Sequence, residues 1–226
     1  MELDYLKIKI NDENEYEFNY PKNESEMIFS VLKGKDYPLA NVKIKSDSPI
    51  IIDIGSNVGA SVVYFKKNYP FSSIYCFEPS NETYSILKKN VGCFENVKLH
   101  QLAVWNKEGE FKLNYGPEKR TGSFTLMKWD KDLGGEIVKT IKISSVIKNY
   151  KLKSIDLMKL DVEAVELDVL VDFFTTCPEV PIYNVFIEYH GIVILDEIKT
   201  MFSSIYNIFQ CATTSQMQGV VLLVRK

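Results

Sequence analysis

Carboxylates and one imidazole stand at the ends of apolar runs along this 226-residue chain. They are Asp53, Glu78, Asp161 with Glu163, and Glu188 with His190. Each run is typical of a strand buried in a parallel sheet, which reads as a continuous hydrophobic stretch. Since open α/β sheets bind their ligands beyond the carboxyl ends of the strands, we expect these side chains to border one cleft. Each acid taken alone could instead be a first-turn carboxylate that stabilises the start of a helix.

His190 is one of two histidines, and its side chain is suited to proton exchange near neutral pH. It could act as general base toward a substrate hydroxyl, with Glu188 and Asp161 in support. A hydrogen-bonded loop histidine is the alternative. Asp161, Glu163 and Glu188 could also gather a divalent cation, which binds carboxylate oxygens, so the sequence leaves metal dependence open.

The segment 48–78 reads as a strand, a glycine loop, a helix and a second strand. Strands and helix in this order form a right-handed βαβ unit. Gly55 and Gly59 permit a tight turn and the close approach of a ligand. Glu78 follows the second strand, where a carboxylate suits the two hydroxyls of an unphosphorylated ribose.

The spacing of the glycines argues against a dinucleotide. A pyrophosphate site needs glycine in the middle of Gly-x-Gly-x-x-Gly, and this chain has Asn57 there. Asp53, at the tip of the first strand, would repel phosphates and attract a cation. A nucleoside with a positive centre and no pyrophosphate, S-adenosylmethionine, fits both features. A tight turn in another kind of α/β domain is the alternative.

Strand and helix patterns alternate after residue 48 and end in a hairpin, which predicts an α/β domain with a mostly parallel sheet and one reversed strand. The predicted strands are 49–52, 73–77, 97–102, 154–160, 183–187, 205–211 and 220–224, and the predicted helices are 60–68, 82–90, 164–174 and 194–203. The intervening region is predicted to hold short strands at 110–115, 123–127 and 139–143, with loops at 116–122 and 130–135. These loops could be lids, substrate selectors or solvated connectors.

Residues 1–48 are predicted to form an accessory N-terminal piece, and residues 49–226 the main domain. Period-two alternation at 5–10 and 16–20 predicts a hairpin, and capping residues precede a short helix at 27–33. This piece could cover a sheet edge, cap the ligand cleft or make a homodimer contact.

Composition excludes several classes of protein. The net charge of −3 gives no broad electrostatic footprint for nucleic acid, and no apolar run is long enough to span a bilayer. The acidic, alternating N-terminus is unlike a secretory signal, and the four cysteines have no metal-type spacing. We therefore expect a cytoplasmic protein with no nucleic-acid or membrane partner.

Five short segments together resemble the FkbM-type methyltransferases, a family within the class I S-adenosylmethionine-dependent fold. They are Ile52–Gly59, Cys76–Pro79, Leu102–Asn106, Met158–Glu166 and Phe186–His190, in family order. The Asp-Val-Glu-x-x-Glu element in the fourth segment is distinctive, because many methyltransferases share the first two segments. Two positions depart from the family pattern, since serine (56) replaces the usual alanine and alanine (164) the usual glycine.

The resemblance implies a Rossmann-like, seven-stranded sheet with helices on both faces, and methyl transfer to a hydroxyl of a sugar or another small natural product. The implied cofactor-binding residues are Asp53, Gly55, Ser56, Asn57, Gly59, Glu78, Pro79, Ala103, Val104 and Asp161. The implied substrate-handling residues are His190, Glu188 and Asp161. Methylation of protein or RNA, the latter aided by a basic patch at Lys119 and Arg120, and a non-catalytic nucleoside-binding module stay open as alternatives.

Overall fold

A computed structural model describes residues 1–9, 15–116, 120–128, 132–215 and 217–226. The strands are β1 (Leu3–Lys9), β2 (Glu15–Pro21), β3 (Ile50–Ile54), β4 (Ser73–Phe77), β5 (Val97–His100), β6 (Ala103–Val104), β7 (Gly109–Asn114), β8 (Gly135–Ile141), β9 (Leu157–Leu160), β10 (Asn184–His190), β11 (Tyr206–Ser215) and β12 (Gln218–Arg225). The α-helices are α1 (Ser25–Leu32), α2 (Ala60–Asn68), α3 (Asn81–Val91), α4 (Ile143–Tyr150), α5 (Glu166–Thr176) and α6 (Ile192–Phe202).

Seven of these strands form one sheet in the order β11-β12-β10-β9-β3-β4-β5. Strand β12 is antiparallel to both of its neighbours, whereas the pairs from β10 through β5 are parallel. The predicted fold class is therefore confirmed: a mostly parallel sheet with one reversed strand, and with the seven strands that the family resemblance implied.

The two faces of the sheet are covered by different helices. Ile52 and Met158 point into a core shared with α4, α5 and α6, whereas their neighbours Ile51 and Leu157 point into a core shared with α1, α2 and α3. Because side chains alternate along a strand, every second residue of β3 and β9 belongs to the same face. The same alternation determines which charged side chains of neighbouring strands can contact one another.

The N-terminal hairpin and short helix are present, as β1, β2 and α1. Phe18, Tyr20 and Ile28 are buried in the same core as α2 and α3. The side-chain amide of Asn90 adds a polar tie, since it donates 2.8 Å hydrogen bonds to the carbonyl oxygens of Asn19 and Val58. Residues 10–14 of the predicted hairpin lie outside the described residues, and the domain boundary after residue 48 stays a prediction.

The region from residue 101 to residue 150 differs from the sequence prediction. Strands β6, β8 and β7 form a separate three-stranded sheet. The predicted strand at 123–127 is wrong, since that segment makes only a single bridge, between Thr125 and Asn114. Strand β8 begins at Gly135, within the predicted loop. Residues 117–119 and 129–131, including Lys119, lie outside the described part of the chain.

Helix α4 has no counterpart in the sequence prediction. Ile143, Val146 and Ile147 on this helix are buried against the sheet. Their i, i+3, i+4 spacing is the signal that identifies such a helix. None of the helices in the described part of the chain combines the length and the hydrophobicity needed to cross a bilayer.

Candidate functional site

A cleft lies at the carboxyl ends of β3, β4 and β9 and encloses about 580 Å³ including its open mouth. The predicted cofactor-binding residues that line it are Gly55, Asn57, Glu78, Pro79, Ala103, Val104 and Asp161. An apolar wall beside them is formed by Leu102, Leu113, Phe124 and Leu126.

The glycine loop folds back onto the end of β4. The backbone N–H groups of Gly55 and Ser56 both donate to the carbonyl oxygen of Phe77, at 3.0 and 2.9 Å. Gly55 has a φ of 79°, and a Cβ there would lie 1.8 Å from the carbonyl oxygen of Asp161. Only glycine fits this position, so the loop backbone comes close to both β4 and β9.

Glu78 lies at the floor of the cleft and is 7% exposed. Its two carboxylate oxygens accept backbone hydrogen bonds from Asn57, at 3.0 Å, and from Ser80, at 2.9 Å. Burial raises the pKa of Glu78 to about 7, although the two hydrogen bonds act in the opposite direction. Glu78 therefore exchanges its proton near neutral pH.

Three predicted cofactor-binding residues lie behind the loop rather than in the cleft lining. Asp53 is fully buried and accepts a 2.6 Å hydrogen bond from the hydroxyl of Ser61. The hydroxyl of Ser56 donates to the backbone carbonyl of Asp53 at 2.9 Å. Gly59, with a φ of 95°, precedes α2 and packs on the side chains of α3. These residues shape the loop, and their contact with a cofactor stays a prediction.

Lys159 is a buried cation that sequence reasoning missed. Its Nζ donates to the carbonyl oxygen of Gly55 at 2.8 Å and to Asp161 Oδ2 at 3.2 Å. Burial opposes this charge, but Asp161 and Asp53 outweigh that effect and raise the pKa of Lys159 to about 12. A lysine inside an otherwise apolar strand was the available signal, because lysine is almost never fully buried unless it is paired.

The register of the sheet puts the predicted substrate-handling residues on one face. Lys159 is the Cα partner of Asp53 on one side and of Phe186 on the other. By alternation, Asp161, Glu188 and His190 share this face. Strand β10 extends to His190, so Glu188 and His190 lie within the strand and not beyond its end as predicted.

His190 is held between two carboxylates. Its Nδ1 lies 2.9 Å from Glu166 Oε1, and its Nε2 lies 3.1 Å from Glu163 Oε2. Burial opposes a positive charge on the ring, but the bonds to Glu163 and Glu166 prevail and raise the pKa of His190 to about 11. With this pKa the ring carries a positive charge at neutral pH, and each ring nitrogen faces a carboxylate; the side-chain amide of Gln218 also lies 3.1 Å from Nε2.

Glu188 lies beside this clamped histidine and accepts a 2.9 Å hydrogen bond from the side-chain amide of Gln218. Burial and then the negative charge of Asp161 raise the pKa of Glu188 to about 8. The hydroxyl of Tyr37 donates to Asp161 at 3.4 Å from the same face. Among the described residues, no group of three or more histidine, cysteine, aspartate or glutamate side chains is arranged to hold a metal ion.

The backbone between β9 and α5 is strained at Glu163 and Ala164. Glu163 has a φ of 52° and Ala164 a φ of 78°, both in the left-handed region. A left-handed backbone is unfavourable for a residue with a Cβ atom, such as alanine, and is not unfavourable for glycine. The alanine at position 164 nevertheless leaves Glu163 at the cleft, bonded to His190.

A model of the methyltransferase FkbM domain matches residues 53–213, more than half of the chain. Methyltransferase sdnD of Sordaria araneosa is 29% identical over 182 residues, which cover 66% of this chain and 69% of that protein. Methyltransferase 1 of Beauveria bassiana is 30% identical over 145 residues, which cover 55% of this chain and 58% of that protein. The 2-O-methyltransferase NoeI of Sinorhizobium fredii is 25% identical over 147 residues, or 56% of this chain and 58% of that protein.

Solved structures share the fold at low sequence identity. A fibrillarin pre-rRNA processing protein of Methanococcus jannaschii superposes with a TM-score of 0.54 at 12% identity, covering 98% of this chain and 83% of that one. The METTL16 methyltransferase domain superposes with a TM-score of 0.50 at 10% identity, covering 91% and 69% of the two chains. At these identities, the likeness establishes the architecture alone.

Proposed function

This chain belongs to the FkbM methyltransferase domain family, and on that premise we propose that it transfers a methyl group from S-adenosylmethionine to a hydroxyl oxygen of a small molecule, such as a sugar or another natural product. The observation that carries the proposal is a single cleft that holds both the carboxylate of Glu78 and an apolar wall. Asp161 and Glu163 line the same cleft, and their charges act on Glu188, whose pKa is about 8. The relative NoeI is a 2-O-methyltransferase, which supports oxygen as the acceptor atom.

The cleft fits the cofactor at its nucleoside end. A carboxylate has about four lone-pair sites, and Glu78 uses two of them on backbone N–H groups. Two remain for the two ribose hydroxyls. Ala103, Val104 and Phe124 provide apolar lining for adenine, and Gly55 and Asn57 line the cleft at the proposed methionine end.

Beside the part of the cleft proposed for the methyl acceptor, the protein provides a base and a fixed set of charged side chains. When bound, S-adenosylmethionine supplies an electrophilic methyl group on a positively charged sulfur. The protein must then hold the acceptor hydroxyl in line and remove its proton. Sequence alone favoured His190 as this base, but its ring is charged and each ring nitrogen faces a carboxylate. We assign the removal of this proton to Glu188, whose pKa of about 8 allows proton exchange within about one pH unit of neutrality. We assign to His190 the role of orienting Glu163 and Glu166.

The charges around Glu188 favour a neutral acceptor. Lys159 contacts Asp53 and Asp161, and His190 contacts Glu163 and Glu166, so four carboxyl groups face two cations even before Glu188 is counted. A phosphate would be repelled by this excess. A hydroxyl of a neutral small molecule therefore fits better than a nucleic-acid backbone, and RNA and protein acceptors become outcomes of the test.

Isothermal titration with S-adenosylmethionine, its demethylated product S-adenosylhomocysteine and a nicotinamide dinucleotide tests the cofactor. We expect binding of the first two alone. Release of S-adenosylhomocysteine in the presence of hydroxylated sugars and natural products then tests the acceptor, with RNA and protein pools as competitors. Tight binding of the dinucleotide alone would overturn the proposal.

A further inference from the structure

A buried hydrogen-bonded contact joins the N-terminal piece, residues 1–48, to residues 120–126, which form the roof of the cleft. Glu24 Oε1 accepts the backbone N–H of Thr121 at 2.8 Å, and Glu24 Oε2 lies 2.7 Å from the hydroxyl of Thr121. The two residues are separated by 97 positions, and both are less than a tenth exposed. A carboxylate in this environment loses its hydration, so its two hydrogen bonds to Thr121 are worth more than they would be at the surface.

The contact continues to the cofactor loop. The hydroxyl of Thr121 also lies 2.8 Å from Asn57 Oδ1, and the backbone N–H of Asn57 donates to Glu78. Since a hydroxyl has one proton, Thr121 can donate to only one of Glu24 and Asn57 at a time. Whichever of the two acceptors takes this proton, close polar contacts connect Glu24 through Thr121 and Asn57 to the carboxylate of Glu78.

The segment held by Glu24 forms part of the cleft itself. Thr121, Gly122, Phe124 and Leu126 all line it. A Cβ placed on Gly122 would lie 3.2 Å from the sulfur of Met27, so α1 supports this segment from its outer side. Loss of the Glu24 contact would release the roof of the cleft rather than a distant part of the surface.

We infer that Glu24 is a positioning residue for cofactor binding: through Thr121 it holds residues 120–126 over the cleft and orients Asn57 toward Glu78. This inference rests on the proposed function. It places a residue needed for the site outside the segment matched by the family model, which begins at residue 53. The N-terminal piece thereby contributes to the site and does more than cover the core.

Titration calorimetry with S-adenosylhomocysteine tests the inference on four variants of the full chain. Glu24→Met removes both acceptor oxygens of the contact and Thr121→Val removes the hydroxyl, and we expect each to weaken binding by about tenfold. Thr121→Ser keeps the hydroxyl and is expected to bind within about twofold to threefold of the wild type. Glu26→Met, at an exposed acid in the first turn of α1, is the matched control and is expected to bind as the wild type does.

Hydrogen exchange over residues 120–128 gives a readout that does not depend on the cofactor. We expect faster exchange there in Glu24→Met and Thr121→Val than in the wild type, Thr121→Ser and Glu26→Met. Unchanged exchange, or wild-type affinity in folded Glu24→Met and Thr121→Val, would overturn the inference. Absence of S-adenosylhomocysteine binding by the wild type would instead overturn the proposed function, whereas the exchange measurement would still test whether the Glu24 contact holds residues 120–126. Should Glu24→Met fail to fold, the Thr121→Val and Thr121→Ser pair decides.

Discussion

Lys159 and Asp53 face each other across two parallel strands, as Cα partners in the pairing of β9 with β3, with Nζ 3.5 Å from Oδ1. The same ammonium reaches Asp161 and the carbonyl oxygen of Gly55. The carboxyl-terminal ends of two strands, β3 and β9, are thus fixed relative to each other by a single buried charge. The pair is almost inaccessible to water, at 3% and 0% side-chain exposure.

Lys159→Met should destabilise the protein by about 3–5 kcal/mol, because it leaves the buried carboxylate of Asp53 without its cation. Urea unfolding followed by circular dichroism measures this loss. Lys153→Met, on an exposed neighbouring lysine, is the control and should change stability by less than about 0.5 kcal/mol. Equal stability of the two variants would show that the contact of Lys159 with Asp53 does not stabilise the fold.

Glu78→Gln should weaken S-adenosylmethionine binding by about 1.5–3 kcal/mol, since a charged acceptor for hydroxyl donors is lost. The wild type should also bind more tightly at pH 8 than at pH 6. Hydroxyl donors favour the carboxylate, and this group, with a pKa of about 7, is mostly protonated at the lower pH. Calorimetry at both pH values measures the effect. Glu197→Gln on exposed α6 is the control, and a pH-independent wild-type affinity would contradict the assignment.

With an accepted substrate, kcat/KM should rise with pH to a plateau, with an apparent pKa near 8 that reports Glu188 in the free enzyme. Glu188→Gln should lower kcat by roughly a hundredfold or more and remove this dependence, because a positioned general base contributes roughly 10²–10⁴. Steady-state kinetics across pH 6–10 is the measurement. A profile governed by a pKa near 6.5 that vanishes in His190→Gln would return the base function to His190.

The contribution of His190 to stability should fall as the pH rises. The pKa of this group is raised on folding from 6.5 to about 11, so its stabilisation is complete below pH 6.5 and is lost toward pH 11. The stability difference between wild type and His190→Gln should therefore shrink between pH 7 and pH 10, by at most about 1.4 kcal/mol per pH unit.

Urea unfolding at three pH values measures this trend. His100→Gln is the matched control, because burial lowers the pKa of His100 and its ring is neutral throughout this range. The difference between wild type and His100→Gln should stay constant. A constant difference for His190→Gln as well would show that the ring is not held as a cation.

Ala164→Gly should stabilise the protein by up to about 1 kcal/mol, because glycine adopts the left-handed conformation at this position without steric strain. The gain is reduced by the greater freedom of glycine in the unfolded chain. Thermal unfolding measures the effect, with Ala40→Gly, outside the left-handed region, as a control that should be slightly destabilising. Destabilisation by Ala164→Gly equal to that of the control would mean that the turn is not strained.

Local patterns in the sequence determined the scaffold of the site. Apolar runs identified the strands of the main sheet, and the glycine loop and Glu78 were recognisable because a βαβ unit brings consecutive strand ends together. Helix α4 could also have been recognised from its spacing. Local patterns could not reveal that residues 123–127 make only a single bridge, since a short run of β-prone residues is ambiguous without its neighbours.

Only the tertiary structure decided which charges meet and what they do. Asp53 is buried against Lys159 behind the loop, His190 is a cation because Glu163 and Glu166 hold its ring, and Glu24 reaches Thr121 from 97 residues away. The physical reason is that a pKa depends on lost hydration and on the neighbouring charges. Both are set by packing between segments distant in the chain, so the residue types present at the site could be read in advance but their protonation states could not.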